Sequence, residues 1–510
     1  MLRKSWITLL SVACACSSLW GADWTQLQAD AKRSGFSPDA VRPPFKMKWA
    51  WFGEATQLPG QPPPQRATAK IGSLVQPIVA QGQVFVGAMD GTLYSIDQEK
   101  GVTRWQFKTG RSIVHTAAYA DGVVIANSMD GGVYGVDAET GKQAWKYETP
   151  VGILSAPAVD GGNVYVTTRD GRALAMEVKT GKLVWELDVG APIVNSPAVL
   201  DGVMLFGSED MFAHAVNIKT GKEIWKTKIS GQSLRSTWPV AYKDMVIFHV
   251  IPSISGSEMQ LLWDPNMEAL LDACPPNNWP AEREAIRKYL TENPQRQTVT
   301  ILDIKTGKPK YKEQPPIGYV AGNMYPPMPA VYDDQGRIYT YWRTRSSRLE
   351  GGGTYGTKYI PDISWMDPAT GDRMMLPFGR LKNHVSVELD NNFLLTLGGD
   401  VVYGANHFRV DLLMDMRDGE FYGITKPFKD ERDGGYPVPQ GTSWHYPVAG
   451  QQPPAPGGGT NGEAGIVPAG NCVYINEPGA NCVSCFVGTV STTQPTSKTA
   501  ETSTRAEGAK

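Results

Sequence analysis

The fold is decided by two stretches that repeat one pattern forty residues apart, Val136-Asp-Ala-Glu-Thr-Gly-Lys-Gln-Ala-Trp145 and Met176-Glu-Val-Lys-Thr-Gly-Lys-Leu-Val-Trp185. In each, an acidic residue precedes a glycine by four positions and a tryptophan follows that glycine by four. The pattern also occurs one unit earlier and one unit later, and a fixed period of this length indicates a solenoid, a propeller or an array. The recurring residues are Asp97, Gly101 and Trp105; Asp137, Gly141 and Trp145; Glu177, Gly181 and Trp185; and Asn217, Gly221 and Trp225.

The content of one unit distinguishes these architectures. In the best-preserved copy, four short apolar runs start at Ser155, Asn163, Arg172 and Leu183, and glycine-containing turns separate them. Alternating runs joined by such turns are typical of antiparallel hairpins. None of the runs is long enough for a helix or has a period of 3.6 residues. Four strands in a unit of this length predict the blade of a β-propeller.

Weaker copies of the repeat follow Trp225. Four of them can be traced, and the last one ends without an outer strand. They start near Asp303, Asp367, Asp415 and Gly465. The segment from Lys46 to Phe52 has the composition of a tryptophan-bearing outer strand, so we expect it to pair beside Cys482 to Phe486. This pairing closes the ring with strands from both termini and removes an open sheet edge. The sequence therefore predicts an all-β, eight-bladed propeller of four-stranded antiparallel blades, with seven blades as the alternative.

Each residue of the repeated pattern has a predicted structural role. The glycine allows a positive φ in the turn before the fourth strand. The acidic residue caps that turn through backbone N–H groups. The tryptophan fills the gap between neighbouring blades, where a large aromatic side chain buries about 150–250 Å². We therefore interpret the repeated residues as a structural docking motif without catalytic chemistry.

Composition and the N-terminus limit the partners and the compartment. The formal net charge of −2 gives no basic footprint for nucleic acid. Residues 1–22 resemble a cleaved signal peptide, since basic residues precede a short apolar run, and no other segment is apolar enough to span a membrane. Lipid attachment at Cys14 or Cys16 is the less favoured alternative, because Ser11 stands where a lipoprotein signal usually has leucine. We expect an extracytoplasmic protein, in the periplasm or at the cell surface.

The propeller is predicted over residues 23–490, and three departures from its repeat are candidates for function. The first is an insertion at 252–297 in which Pro280 starts a short helix; it either covers a propeller face or contacts a partner. The second is an arginine- and glycine-rich loop at 343–358, interpreted as a solvated loop with anion binding as the alternative. The third is a Pro/Gly-rich loop at 430–461. The Ser/Thr-rich tail, 491–510, is predicted to be disordered.

The four cysteines after the signal peptide leave several interpretations open. If the last hairpin turns at Glu477-Pro-Gly-Ala480, Cys472 lies opposite Cys485, and a disulfide there is permitted in an exported protein. Free thiols are the second interpretation. A haem or zinc site is the third, although Phe486 replaces the histidine that a c-type haem motif requires.

A small ligand or ordered water would bind where the innermost strands surround the central channel. Residues at the start of these strands are candidates to line it. They are His115, Ser155, Asn195, Arg235, His384 and His445.

The repeated stretches at Val136–Trp145 and Met176–Trp185 resemble the docking motif of the pyrroloquinoline-quinone (PQQ) repeat family, and the opening from Asp23 to Gly35 resembles the start of such proteins. The resemblance implies one of two functions. One is a PQQ- and calcium-dependent dehydrogenase of alcohols or sugars, in which adjacent cysteines and an aspartate surround the quinone. This chain has no adjacent cysteine pair after the signal peptide, so no catalytic residue, cofactor or metal is predicted.

The other implied function is a non-enzymatic binding or scaffolding propeller, similar to the lipoprotein that helps to insert outer-membrane barrels. We favour this second function, with an envelope or cell-surface protein as the partner. Fold alone does not decide between the two.

Overall fold

The computed structural model describes residues 22–62, 64–235, 237–251, 265–275, 278–315, 329–342, 362–374, 394–405, 411–417, 421–423, 465–477 and 481–490. Their strands form eight sheets, and the eight-bladed propeller is confirmed. The seven-bladed alternative is wrong. Most of the predicted signal peptide, the predicted loops at 343–358 and 430–461, and the predicted tail at 491–510 lie outside these residues, as do Cys14, Cys16, His384 and His445.

Blades 1 to 4 each contain four antiparallel strands in sequence order. Apolar residues of the three inner strands are almost all buried, while the fourth strand alternates buried and exposed positions around its tryptophan. The strands are Ile78–Ala80, Gln83–Gly87, Thr92–Asp97 and Thr103–Lys108; Ala118–Ala120, Val123–Asn127, Gly132–Asp137 and Gln143–Glu148; Ala158–Asp160, Asn163–Thr167, Arg172–Glu177 and Leu183–Asp188; and Ala198–Leu200, Val203–Ser208, Phe212–Asn217 and Glu223–Lys228.

Blades 5 to 8 are less regular. Blade 5 has three strands among the described residues, and the N-terminal part of the chain adds one strand to blade 7 and two strands to blade 8. The strands are Val240–Tyr242, Met245–His249 and Val299–Asp303; Val331–Tyr332, Ile338–Trp342, Asp362–Met366 and Arg373–Met374; Leu394–Gly398, Val401–Ala405, Asp411–Asp415 and Phe421–Gly423, with Phe36–Ser37 parallel to the first; and Val467–Ala469, Cys472–Glu477 and Cys482–Val490, with Val41–Trp51 and Thr56–Gln57 outside.

Strands from both termini close the ring in blade 8, as predicted. Val41–Trp51 pairs antiparallel with Cys482–Val490, with Met47 opposite Phe486 and Trp51 opposite Val483. The buried Arg42 extends this strand's contacts to blade 7, where its Nε lies 3.0 Å from Oδ2 of Asp415. The outer strand of the last blade is therefore bonded to both its own sheet and the neighbouring one.

The repeated tryptophans join each blade to the next. The indole N–H of Trp145 donates to the carbonyl of Val178 (2.7 Å), and that of Trp185 donates to the carbonyl of Ile218 (2.6 Å). The ring of each tryptophan covers the motif glycine of the following blade, so a Cβ added at Gly221 would lie 2.7 Å from Trp185. These glycines have positive φ, and they also provide the flat surface that the preceding tryptophan covers. Each blade therefore depends on its neighbour for packing.

The same contact is made at the junction where the ring closes. Trp49, in the outer strand of blade 8, donates its indole N–H to the carbonyl of Gln98 in blade 1, and its ring covers Gly101. The series of tryptophan contacts between neighbouring blades therefore continues from blade 8 to blade 1.

The insertion in blade 5 contains two helices, α1 (Pro265–Ala273) and α2 (Trp279–Glu292), followed by a 3-10 turn at Pro294–Arg296. The side chain of Asn278 caps α2 by accepting from the amide of Ala281 at 3.2 Å. The apolar side of α2 packs against Leu271 of α1. Its N-terminal Trp279 packs edge to face on Trp342 of blade 6. The predicted helix is present, and it contacts blade 6.

The strand directions give the propeller two different faces. On one face, here called the turn face, every connection between the strands given above is six residues or shorter. The opposite face, here called the upper face, carries the second-to-third connections and the passages between blades. One long connection, residues 304–330, starts on the turn face and ends on the upper face. Four other long connections of blades 5 to 8 start and end on the upper face. They are residues 250–298, 343–361, 375–393 and 424–466.

Candidate functional site

Side chains from blades that are not neighbours meet at the centre of the ring. His115, just before the first strand of blade 2, packs edge to face on Trp238, just before the first strand of blade 5, with ring centroids 6.5 Å apart. Its Nε2 lies 3.4 Å from Oγ of Ser196, next to blade 4. Two blades separate blade 2 from blade 5, so the contact with Trp238 crosses the central channel. At this level the protein's own side chains therefore meet across the channel.

The N-terminal segment, residues 22–39, closes the channel mouth on the turn face, and we call it the strap. It follows the ring from blade 1 to blade 8 and bonds each blade at its first strand or in the turn after that strand. The contacts are Val79 N to Trp24 O (2.8 Å), Tyr119 N to Thr25 O (2.7 Å), Val159 N to Gln26 Oε1 (3.0 Å), Val199 N to Ala31 O (2.7 Å), Ala241 N to Lys32 O (3.0 Å), Tyr332 N to Ser34 O (2.9 Å), Leu397 N to Gly35 O (2.7 Å) and Gly470 N to Asp39 Oδ2 (2.7 Å).

The two ends of the strap meet after this circuit. Oδ2 of Asp39 accepts from the amide of Gly470 and also from the amide of Ala22, both at 2.7 Å. The strap is therefore a closed loop of chain that contacts all eight blades.

Arg33 extends from the strap into the channel and is completely buried. Its guanidinium donates to three neutral carbonyl oxygens, those of Pro197 (2.9 Å), Leu27 (2.9 Å) and Pro157 (3.1 Å). Burial lowers the pKa of Arg33 to about 9, and the charge of Asp30 opposes this shift. The side chain remains protonated at neutral pH, so it places a positive charge inside the ring.

Two buried histidines near the channel are held neutral. Burial, followed by the charge of Arg33, lowers the pKa of His115 to about 3. Burial alone lowers the pKa of His249, at the end of the second strand of blade 5, to about 3. Nε2 of His249 accepts from the amide of Ala330 at 3.3 Å, so the neutral ring carries its proton on Nδ1.

Several buried donors give the channel capacity for further hydrogen bonds. Gln76 Nε2, Trp238 Nε1 and His249 Nδ1 have no partner among the described residues. Most buried polar atoms in proteins are hydrogen-bonded to protein or to ordered water. These three atoms can therefore bind a small polar molecule or water.

The predicted channel residues occupy different environments. Ser155 and Asn195 are buried and bond the backbone: Ser155 Oγ donates to the carbonyl of Thr167 at 2.8 Å, and the side-chain amide of Asn195 contacts the backbone of Gly207. Arg235 is exposed. The structure thus brings His115 to the centre of the ring, while His384 and His445 lie outside the described residues.

Sequence reasoning missed Arg33 and Trp238 as central residues. Neither belongs to the repeated pattern, although Trp238 directly precedes Pro239 in the position that Ser196 occupies before Pro197. Comparison of the residue before this proline among the repeats is the signal that would have identified Trp238. No periodic signal marks Arg33.

The predicted cysteine pairing is wrong. In the last hairpin Cys472 lies opposite Val487, and Cys485 lies opposite Tyr474, because Glu477 pairs with Cys482 and the turn is centred later than predicted. The four described cysteines are free thiols. Cys472 and Cys485 are diagonal neighbours on one face of the hairpin. A hydrogen bond with Cys485 lowers the pKa of Cys472, and burial raises that of Cys485.

The described residues lack both a metal-binding cluster and a membrane-spanning helix. They contain no group of three or more His, Cys, Asp or Glu side chains arranged to hold a metal ion. Within the same residues, neither helix has the length and apolar character needed to cross a bilayer.

Comparison with known proteins identifies the repeat. Two overlapping segments, residues 19–156 and 90–238, match the model of a family described as outer membrane protein assembly factor BamB, a model of PQQ-type repeats. The chain is a PQQ-like repeat β-propeller. The matched residues of this propeller include the strap and blades 1 to 4. The long upper-face connections of blades 5 to 8 all lie beyond the match.

Solved structures of PQQ-like propellers resemble the chain at low identity. BamB from Moraxella catarrhalis is 18% identical, with 64% of this chain and 76% of that chain covered and a TM-score of 0.40. A europium-containing methanol dehydrogenase is 14% identical (79% and 84% covered, TM-score 0.49), and quinohemoprotein alcohol dehydrogenase from Comamonas testosteroni is also 14% identical (78% and 72%, 0.48). A search of curated proteins found no match.

Proposed function

We propose that this PQQ-like repeat propeller is an exported, non-catalytic scaffold that binds an envelope or cell-surface protein through its upper face. The observation that carries the proposal is the position of four long connections of blades 5 to 8, residues 250–298, 343–361, 375–393 and 424–466, which start and end on the upper face. Binding residues in proteins are concentrated on loops that a rigid scaffold positions. The short turns of the opposite face offer less surface for this purpose.

The side chains that meet across the channel favour binding of a partner at a face of the propeller. His115 and Trp238 contact each other across the channel, and the strap covers the turn-face mouth with Arg33 directed inward. A protein partner therefore finds its accessible surface around the upper rim. The description of the matching family as an assembly factor favours a protein partner over a small substrate.

The proposed location is the periplasm or the cell surface. It rests on the basic N-terminus and short apolar run of residues 1–22. We propose plain secretion, with lipid attachment at Cys14 or Cys16 as the alternative.

Site-specific photo-crosslinking in the native envelope tests which face binds. A crosslinker at exposed Arg235, in the upper-face passage into blade 5, should capture one defined protein. The matched control is exposed Lys305, on the turn-face side of the same blade. A second pair, Arg111 on the upper face and Glu139 on the turn face of blades 1 and 2, tests whether capture is confined to blades 5 to 8. Equal capture at Lys305 and Arg235 would contradict the proposal.

Titration with PQQ and calcium tests the absence of catalysis. We expect no stoichiometric quinone absorbance and no calcium-dependent dye reduction with alcohols or sugars. Stoichiometric binding with turnover would establish the alternative, a PQQ- and calcium-dependent dehydrogenase.

A further inference from the structure

The strap bonds to itself as well as to the ring. The amide of Gly35 donates to the carbonyl of Gln28 (3.0 Å), and the amide of Ala29 donates to the carbonyl of Gln26 (3.0 Å). Arg33 Nη1 binds the carbonyl of Leu27 within the same segment. A surface loop whose ends are close and whose interior is self-bonded behaves as a compact unit. The strap therefore has the construction of one body seated in the channel mouth.

Seating the strap has identifiable costs. Gln28, Ala29 and Arg33 have φ values of 55°, 69° and 63°, in the left-handed region that disfavours side chains. Arg33 is buried, and its three hydrogen-bond acceptors are neutral carbonyls. A buried charge without a bonded counter-charge is costly. The strap is thus held by many hydrogen bonds against backbone strain and desolvation.

The blades do not need the strap for their own sheet hydrogen bonds. Apart from Phe36–Ser37 beside blade 7 and one β-bridge between Trp24 and Val79 of blade 1, the strap forms no sheet pairing with any blade. The amides that it covers belong to the first strands, which pair with the second strands of their own sheets. Loss of the strap contacts leaves these sheet pairings in place.

We propose that residues 22–39 are a latch that docks in the channel mouth and undocks from it as one unit, so that the folded ring alternates between a sealed and an open state. Undocking exposes the covered amides of several blades to water together. It also opens a route from the turn face to the central cluster of His115, Ser196 and Trp238.

Single-residue hydrogen exchange of the full chain tests the latch. The reporters are five amides that donate to strap carbonyls in different blades: Tyr119, Val199, Ala241, Tyr332 and Leu397. The first variant is Arg33→Gly, which suits the positive φ and removes the three side-chain hydrogen bonds. All five amides should exchange faster by a common factor of roughly ten or more. Amides between the second and third strands of the same blades should be unchanged.

The second variant, Ala29→Gly, should stabilise the docked state of the latch, and it should leave the protein folded. Glycine relieves the strain at φ 69°, so the same five amides should exchange more slowly, again by a common factor. If Arg33→Gly fails to fold, this variant still decides the question.

Two results would overturn the proposal. Changes confined to Val199 and its neighbours in blades 3 and 4, where Arg33 binds, would show independent local contacts. Equal acceleration of strap-covered and outer-strand amides would show that the strap unfolds only with the ring. A control variant, Lys32→Arg, keeps the positive charge beside Asp30 and over the ring of Tyr332, so it should change none of the reporters.

Discussion

Blades 1 to 4 and blades 5 to 8 build the same ring with different regularity. In the first half the period is forty residues, and each tryptophan N–H binds a carbonyl of the next blade. In the second half Tyr311 replaces the tryptophan, with its hydroxyl donating to the carbonyl of Pro368 at 2.8 Å. The comparison shows that the blade-to-blade contact tolerates a change of side chain if a ring and a polar hydrogen remain.

Blade 5 shows how the irregular half replaces a missing element. Among the described residues it has no fourth strand, and residues 308–310 pair with the edge only through one bridge and the bond from Lys310 N to the carbonyl of Ile301. The side chain of Gln314 occupies this edge, where its Oε1 accepts from the amide of Ile301 (2.8 Å) and its Nε2 donates to the carbonyl of Ile301 (3.3 Å). The backbone of residues 308–310 and the side chain of Gln314 together replace the pairing of a full strand, which avoids an exposed edge.

The largest predicted effect tests whether the aromatic contacts between blades contribute more to the free energy of unfolding in blades 1 to 4 than in blades 5 to 8. Trp185→Ala removes a buried ring and its hydrogen bond, so it should lower the free energy of unfolding by about 3–5 kcal/mol. Tyr311→Ala removes a half-buried ring and should cost less. Denaturant unfolding of the two variants measures both values. An equal or larger cost at Tyr311 would contradict the difference between the halves.

The next effect concerns the glycine that each ring covers. A methyl group at Gly221 would meet Trp185 at 2.7 Å, at a φ of 68°, so Gly221→Ala should cost about 2–4 kcal/mol from overlap and strain. Gly202, with φ 82° and no atom within 4 Å of an added Cβ, is the matched control. Gly202→Ala should show the strain alone. Similar unfolding midpoints for the two variants would contradict a packing role for the motif glycine.

A pH-dependent effect is expected from both halves. His115 and His249 have folded pKa values of about 3, below the ordinary 6.5, so between these values the unfolded chain binds more protons. Stability should therefore fall as the pH falls below 6.5, by up to about 1.4 kcal/mol per pH unit for each histidine. His115→Gln and His249→Gln should each flatten the curve of unfolding free energy against pH. An unchanged curve in either variant would contradict neutral burial of that histidine.

The smallest effect should be the same in both halves. Asp137 and Asp303 each accept from the amide and the hydroxyl of the threonine three residues later, at 2.7–2.8 Å. Either alanine substitution should cost about 1 kcal/mol or less. Thermal unfolding compares them. A much larger loss at Asp137 would show that the turns also differ between the halves.

The repeat made most of the fold predictable because its contacts are short in sequence or spaced by one unit. The turn at Gly141 and the packing of Trp105 on it involve residues that the forty-residue spacing brings together. The same logic located the closing strand at Lys46 to Phe52. It failed for Cys472 and Cys485, because the position of a hairpin turn within a run of small and polar residues is weakly marked, and a shift of one position changes every cross-strand partner.

The centre of the ring was only partly predictable. His115 was found because it stands at the start of an inner strand, a position that the repeat reveals. Arg33, Trp238 and the path of the strap were not found, since their partners lie in blades that no single period relates.

The pattern of turns and tryptophans determined the blade, its repetition and the closure by both termini, because these depend on local backbone preference and on contacts between adjacent units. Tertiary structure decided which side chains meet in the channel and where the N-terminal segment lies. Closing eight blades into a ring brings together residues that are distant in sequence, and the hydrogen bonds of the strap exist only after that ring has formed.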